Sequence, residues 1–169
     1  HEVTLDEFWI DESEVTNMEY DKCVQAGACL RVDGQSSSNS RQNYYDDPSF
    51  EYFPVIYVSW MEAVNYCSWA GARLPTEAEW EMAASSSGSG IYPWGNEAPD
   101  ITLANFGKLL ADTTMVGNFP LGASKYGQLD MIGNVWEWVD DWYAAYPGGN
   151  PSANSYFGQT YKVLRGGSW

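Results

Sequence analysis

The chain has 169 residues, enough for one domain with a sizeable core. Eight Lys plus Arg against 23 Asp plus Glu give a net charge of −15, which argues against nucleic acid and anionic membrane surfaces, since both are bound through basic residues. It suits a soluble surface, bound cations or a basic partner, and no apolar run reaches the roughly 18 residues of a membrane span.

Residues 3–10, VTLDEFWI, alternate apolar and polar in part and predict a strand. EVTNMEYDKCVQAG predicts a helix, with Thr16 and Glu19 spaced as a capping box and Gly27 able to end it. Cys23 and Cys29 flank that glycine. A local disulfide is expected, which would imply an oxidising compartment, and two buried thiols are the alternative. The polar stretch 30–50, with Ser36, Ser37, Ser38 and Ser40 close together, predicts a loop.

Pro54 leads into VIYVSW, read as a short apolar strand. Ser59 and Glu62 make a second capping box for the helix MEAVNYCSWAG, which Gly71 closes. Its Ala63, Tyr66, Cys67 and Ala70 recur at helical spacing and predict one buried face. On that face Cys67 reads as a buried thiol rather than a nucleophile. Thr76 and Glu79 form a third box for a short helix over 77–84, followed by the flexible link SSSGSG. Beyond residue 90 the chain reads as loops rich in Gly, Asn, Asp and Trp. It ends in YKVLRGGSW, a strand followed by a Gly-Gly turn. Two main helices early and a loop-rich second half predict a single α+β domain over residues 1–169.

The strongest site candidate is Asp130-Met-Ile-Gly-Asn-Val-Trp-Glu137. Calcium takes roughly six to eight oxygens, and tight loops supply carbonyls well. Here Asp130 and Glu137 would give carboxylates, and Gly133 and Val135 main-chain oxygens. A plain turn braced by Asn134 is the alternative. Asn105, Phe106 and Asp112 form a thinner second cluster. His1 is the one histidine, and at a terminus it builds no Ser-His-Asp or Cys-His unit. One histidine and three cysteines give no zinc spacing. No glycine-rich phosphate loop precedes a helix, and nothing singles out a carboxylate pair for glycoside hydrolysis.

The segments EVTNMEY, PVIYVSWMEAVNYCSWAGARLPTEAEWEMAA, YPWGNE, GQLDMIGNVWEWVDDW and VLRGGSW occur in the order seen in the formylglycine-generating enzyme (sulfatase-modifying factor) family. The chain resembles that family from about residue 3 to residue 169. The resemblance implies an irregular C-type-lectin-like α+β fold with calcium on DMIGNVWE. Its ligands would be the side chains of Asp130 and Glu137 and the carbonyls of Gly133 and Val135, with Asp130 standing where some members carry Asn. A second family calcium site would fall on Asn105, Phe106 and Asp112, over a segment shortened here.

Active members oxidise a sulfatase cysteine to formylglycine, using oxygen and copper held by two cysteines just after the Gly-Gly-Ser segment. Cys23, Cys29 and Cys67 do not match those positions, and this sequence stops at Trp169. Copper is therefore expected only if a further segment supplies the cysteines. Branches that form sulfoxides with iron need several histidines, which are not here. The family's final strand follows this point, so an open sheet edge is expected, completed by a second peptide or a neighbouring subunit. A chain beginning at His1 reads as a mature or excised product.

Together these readings predict a non-catalytic, calcium-stabilised recognition or structural/assembly domain, extracellular, periplasmic or at the cell surface. A protein or glycan ligand is expected, with no nucleic acid and no membrane span. One alternative is a formylglycine-generating oxidase with its cysteines on another segment. The other is an accessory or sensor domain of a larger protein.

Overall fold

Each of the three helices begins where a hydroxyl caps it. The computed structural model describes residues 3–32, 36–37, 41–86, 90–108 and 110–169. Helix α1 spans Asn17–Gln25, α2 Trp60–Trp69 and α3 Glu77–Ala83. Thr16, Ser59 and Thr76 accept from the backbone of Glu19, Glu62 and Glu79, and each Glu carboxylate accepts in return from the cap's own N–H. All three predicted capping boxes form. Gly27 and Gly71 follow α1 and α2 at φ +73° and +77°, the left-handed geometry that ends a helix. His1, Ser38, Ser40 and the middle of the Ser-Gly link fall outside the described residues.

Two strands, β1 Glu137–Trp142 and β2 Lys162–Arg165, pair antiparallel with Glu137 opposite Arg165 and an irregularity between Trp138 and Trp142. Strand β2 was expected. Strand β1 was not, because EWVDDW lies in a segment whose glycines and asparagines read as loop. Two expected strands do not form. Residues 3–10 form no strand and make no backbone hydrogen bond among the described residues, and VIYVSW follows Pro54, whose isolated bridge to Thr16 is the nearest strand-like contact. A strand needs a neighbouring backbone, which alternation alone does not provide.

Among the described residues the apolar interior divides into three clusters. Trp80, Ala83, Met131, Val139 and Val163 form the first. Tyr20, the disulfide-bonded Cys23 and Cys29, and Val32 form the second. Tyr44, Ile56 and Val135 form the third, with Phe50, Phe53 and Trp169 against it. Indole N–H groups tie the hairpin to the helical half: Trp60 donates to the Val139 carbonyl at 3.0 Å and Trp138 to that of Val58 at 2.8 Å.

The predicted buried face of α2 is the largest departure. No residue of α2 is buried. Ala63, Tyr66, Cys67 and Ala70 instead line a cavity of about 1060 Å³, shared with Phe8, Ile10 and Trp136. The helical period marked the apolar stripe correctly, but only part of it is covered: Tyr66 stacks on Tyr20 of α1 at 5.7 Å between ring centres, while Ala63, Cys67 and Ala70 line the cavity. Among the described residues no helix is long and apolar enough to cross a membrane.

Candidate cation site at the loop from Asp130 to Glu137

The loop from Asp130 to Glu137 is shaped by its backbone. Asp130, Gly133 and Asn134 all take positive φ, at +56°, +86° and +51°, which costs a side-chain-bearing residue energy and persists only where surroundings enforce it. The enforcing contacts are with residues 105–114. The Asn134 N–H donates to the Asn105 carbonyl at 2.8 Å, and the Asn134 side-chain oxygen accepts from Thr114 N–H at 2.8 Å. The Asn105 amide donates to the Asp112 carbonyl at 2.8 Å. The two clusters read from the sequence are therefore neighbours, joined through Asn134.

Three carboxylates share this region. Asp130 is buried; its Oδ2 accepts from Gly117 N–H at 2.5 Å, while its Oδ1 is enclosed with no partner among the described residues. Glu137 keeps part of its surface open, yet its carboxylate is enclosed and accepts from the Trp80 indole at 2.8 Å. Glu14 is buried and was missed by the sequence reading. It bridges the loop, accepting from Asn134 Nδ2 at 2.6 Å and from Val135 N–H at 2.9 Å. Its only sequence signal was its place in EVTNMEY, where the adjacent cap at Thr16 explained the motif without it.

Burial dominates the electrostatics. It raises Glu14 well above the usual carboxylate range, and the nearby charges of Asp130 and Glu137 raise it further. It raises Asp130 as well. Glu137 is pushed up to about 7 by burial, against the Trp80 hydrogen bond, with Asp130 adding repulsion. Enclosed like charges raise one another in this way when nothing positive sits between them.

The residues present fit a hard cation at loop 130–137. Asp130 Oδ1 is an enclosed oxygen without a donor, and the Gly133 and Val135 carbonyls accept no hydrogen bond among the described residues. No three His, Cys, Asp or Glu side chains there converge into a ready-made cluster, so the backbone must supply oxygens, as calcium sites allow. The second cluster fits less well. Asp112 is already engaged by Arg41 at 3.5 Å, Ser37 at 3.0 Å and Thr113 N–H at 2.7 Å. Phe106 is half-buried beside it, and Asn105 keeps one enclosed oxygen without a donor.

The model of the sulfatase-modifying factor enzyme 1-like domain matches residues 1–169. The chain belongs to this family. Among relatives in the sulfatase-modifying factor enzyme 1-like family, a hercynine oxygenase of Mycobacterium tuberculosis is 46% identical over 125 residues, covering 69% of this chain and 29% of its own length. The inactive C-alpha-formylglycine-generating enzyme 2 of Bos taurus is 42% identical over 127 residues, covering 69% of this chain and 38% of its own. The serine/threonine-protein kinase Pkn1 of Chlamydia trachomatis aligns with 100% of this chain at 36% identity, over 29% of its length. The chain thus spans under two fifths of these relatives. In structure, Treponema denticola variable protein 1 superposes with a TM-score of 0.60 at 22% identity, covering 92% of this chain and 71% of the other. Among the described residues, three helices, a two-stranded sheet and long irregular connections make an irregular α+β fold, and that likeness is one of fold.

Proposed function

We propose that this chain is a calcium-stabilised recognition or assembly domain that serves outside the cytosol and performs no catalysis of its own. The enclosed Oδ1 of Asp130, without a partner among the described residues and near enough to Glu14 for their charges to repel, carries this reading. Asp130, Glu137 and the carbonyls of Gly133 and Val135 would hold the ion. Calcium there supplies charge neutralisation and rigidity. The chain's own residues set the loop: Gly133 lets it close on Asn105, Glu14 pins Val135, and Trp80 orients Glu137.

Two further observations support the setting. The Cys23–Cys29 disulfide fits an oxidising compartment. Burial, then the charge of Asp11, raises the Cys67 thiol, which makes it a poor nucleophile. The partner reading rests on the large cavity. Residues 7–11 of its wall make no backbone hydrogen bond among the described residues, and the apolar stripe of α2 lines the same cavity. An extended segment from a second peptide or a neighbouring subunit would pair with the one and cover the other.

The test is thermal unfolding in millimolar calcium, in millimolar magnesium and in chelator. Calcium at about 100 times its Kd should stabilise by about 2.7 kcal/mol. Glu137→Gln, which can keep the Trp80 hydrogen bond, should remove most of the calcium response. Identical melting of the wild-type protein in calcium and in chelator would sink the assignment.

A second reading, an accessory domain of a larger protein, is favoured by the Pkn1 alignment, which takes in all of this chain and 29% of the kinase. Sequencing the gene on both sides of this segment decides it: a flanking kinase or other enzyme domain supports it, and its absence rejects it.

A further inference from the structure

A second pocket, of about 400 Å³, opens beside the β1–β2 hairpin and is lined by none of the three carboxylates above. That volume lies within the roughly 300–1,000 Å³ of small-molecule sites. Its apolar walls are Tyr143, Tyr146, Phe157 and Tyr161, from the connection between the two strands. Tyr143 and Phe157 brace one another at 5.1 Å between ring centres. The backbone of Tyr143 is held on both sides, donating to Tyr161 at 2.7 Å and accepting from Gly158 at 2.9 Å. Three of these tyrosines are nonetheless more than a third exposed, an expensive way to display aromatic surface unless something covers it.

The polar groups decide the ligand. Glu77 accepts from the Tyr146 hydroxyl at 3.0 Å and faces Arg165 at 3.4 Å. The Arg165 pairing is loose: Glu81 stands at 3.6 Å, and its enclosed Nε has no acceptor among the described residues. Lys162, also in the lining, is committed elsewhere, donating to the Asp140 carbonyl at 2.6 Å. An anion entering the pocket would meet Glu77, and a cation would meet Arg165. A group that both donates and accepts satisfies the two at once, and hydroxyls do this. Apolar ring faces beside a donor–acceptor pair fit a molecule with C–H faces and a hydroxyl rim.

We propose that this pocket binds a neutral saccharide ring, stacked on Tyr143 and Tyr161 with hydroxyls bonded to Glu77 and Arg165. It stands independently of the calcium reading. The test is saturation-transfer NMR on the protein with four probes: methyl α-mannoside, methyl β-galactoside, maltotriose and chitotriose. At least one should receive saturation on its ring C–H protons. Tyr161→Ala should weaken that binding at least tenfold and Arg165→Lys should weaken it too, while Tyr126→Ala, outside the pocket, should not. Tyr143→Leu serves in place of Tyr161→Ala if amide dispersion shows that variant unfolded. Absence of transfer to all four sugars, transfer untouched by the pocket variants, or displacement of the sugar by millimolar acetate or tetramethylammonium overturns the proposal.

Discussion

The carbonyl oxygen of Asn105 lies 2.0 Å from the point a β-carbon on Gly133 would occupy. Gly133 also sits at φ +86°, so both space and backbone demand glycine there. Gly133→Ala should therefore cost about 3 kcal/mol or more in urea unfolding, because a clash with main chain adds to the strain. Gly107→Ala, at φ +61° with nothing within 4 Å, should cost only about 1 kcal/mol. Equal effects at the two positions would mean the 105–133 contact is not tight.

The carboxylates predict two opposite pH responses. Glu137 is raised by burial from near 4.5 to about 7, so the folded chain holds its proton more tightly than the unfolded one. That contribution is full below about pH 4.5 and lost as pH rises through 7. In chelator, stability should fall as pH rises from about 4.5 through about 7. Glu79 behaves in reverse: hydrogen bonds from Arg73 at 2.8 and 2.6 Å, then those from Thr76, lower it from near 4.5 to about 2. Its contribution is present above pH 4.5 and lost as pH falls toward 2. Melting temperatures of wild type, Glu137→Gln and Glu79→Gln across pH check both, since each variant should flatten its own limb.

The disulfide closes a short loop at the end of α1, and Cys23 is fully buried in the second apolar cluster. Loop-closure entropy for so few residues gives about 2 kcal/mol. Replacing both cysteines with alanine should lower stability by about that amount in denaturant titrations. A change under about 0.5 kcal/mol would show that packing alone holds the turn.

Lys162 sits between two indoles, its ammonium 3.9 Å from the ring centre of Trp60 and 4.1 Å from that of Trp142. Only 11% of its side chain is exposed. Desolvated cation–π contacts are worth up to about 2 kcal/mol each, so Lys162→Met should destabilise by about 1–3 kcal/mol while keeping the apolar packing. Lys162→Arg, which keeps the charge, should recover part of it.

What could be read from the sequence was what is local. The three capping boxes need residues three apart, and the sequence places them so. The ends of α1 and α2 at Gly27 and Gly71 are equally local. Glu14 was illegible for the opposite reason: its partners Asn134 and Val135 lie 120 and 121 residues away. Strand β1 hid because, of its six residues, only Val139 is buried, which leaves no alternation to recognise. Residues 3–10 made the converse error, having a strand's composition with no strand beside them. At the candidate site, Asp130, Gly133, Val135 and Glu137 were read from the chemistry of the loop and again from the resemblance. It did not show that Asp112 is taken up by Arg41 and Ser37, since that contact also spans some seventy residues.

Met131 belongs to the first apolar cluster and Val135 to the third, and Glu14, which grips Asn134 and Val135, adjoins Val15, packed against the second. Eight residues of loop are thus a pin that touches all three clusters, beside the indole bonds of Trp60 and Trp138. Cooperativity in such a molecule belongs to the pin. With the carboxylates neutralised by a bound ion, the clusters should melt as one, and calorimetric and van't Hoff enthalpies should agree. With the ion withdrawn, the mutual repulsion of Glu14, Asp130 and Glu137 falls on the joint itself, and the clusters should come apart in sequence as separate foldons.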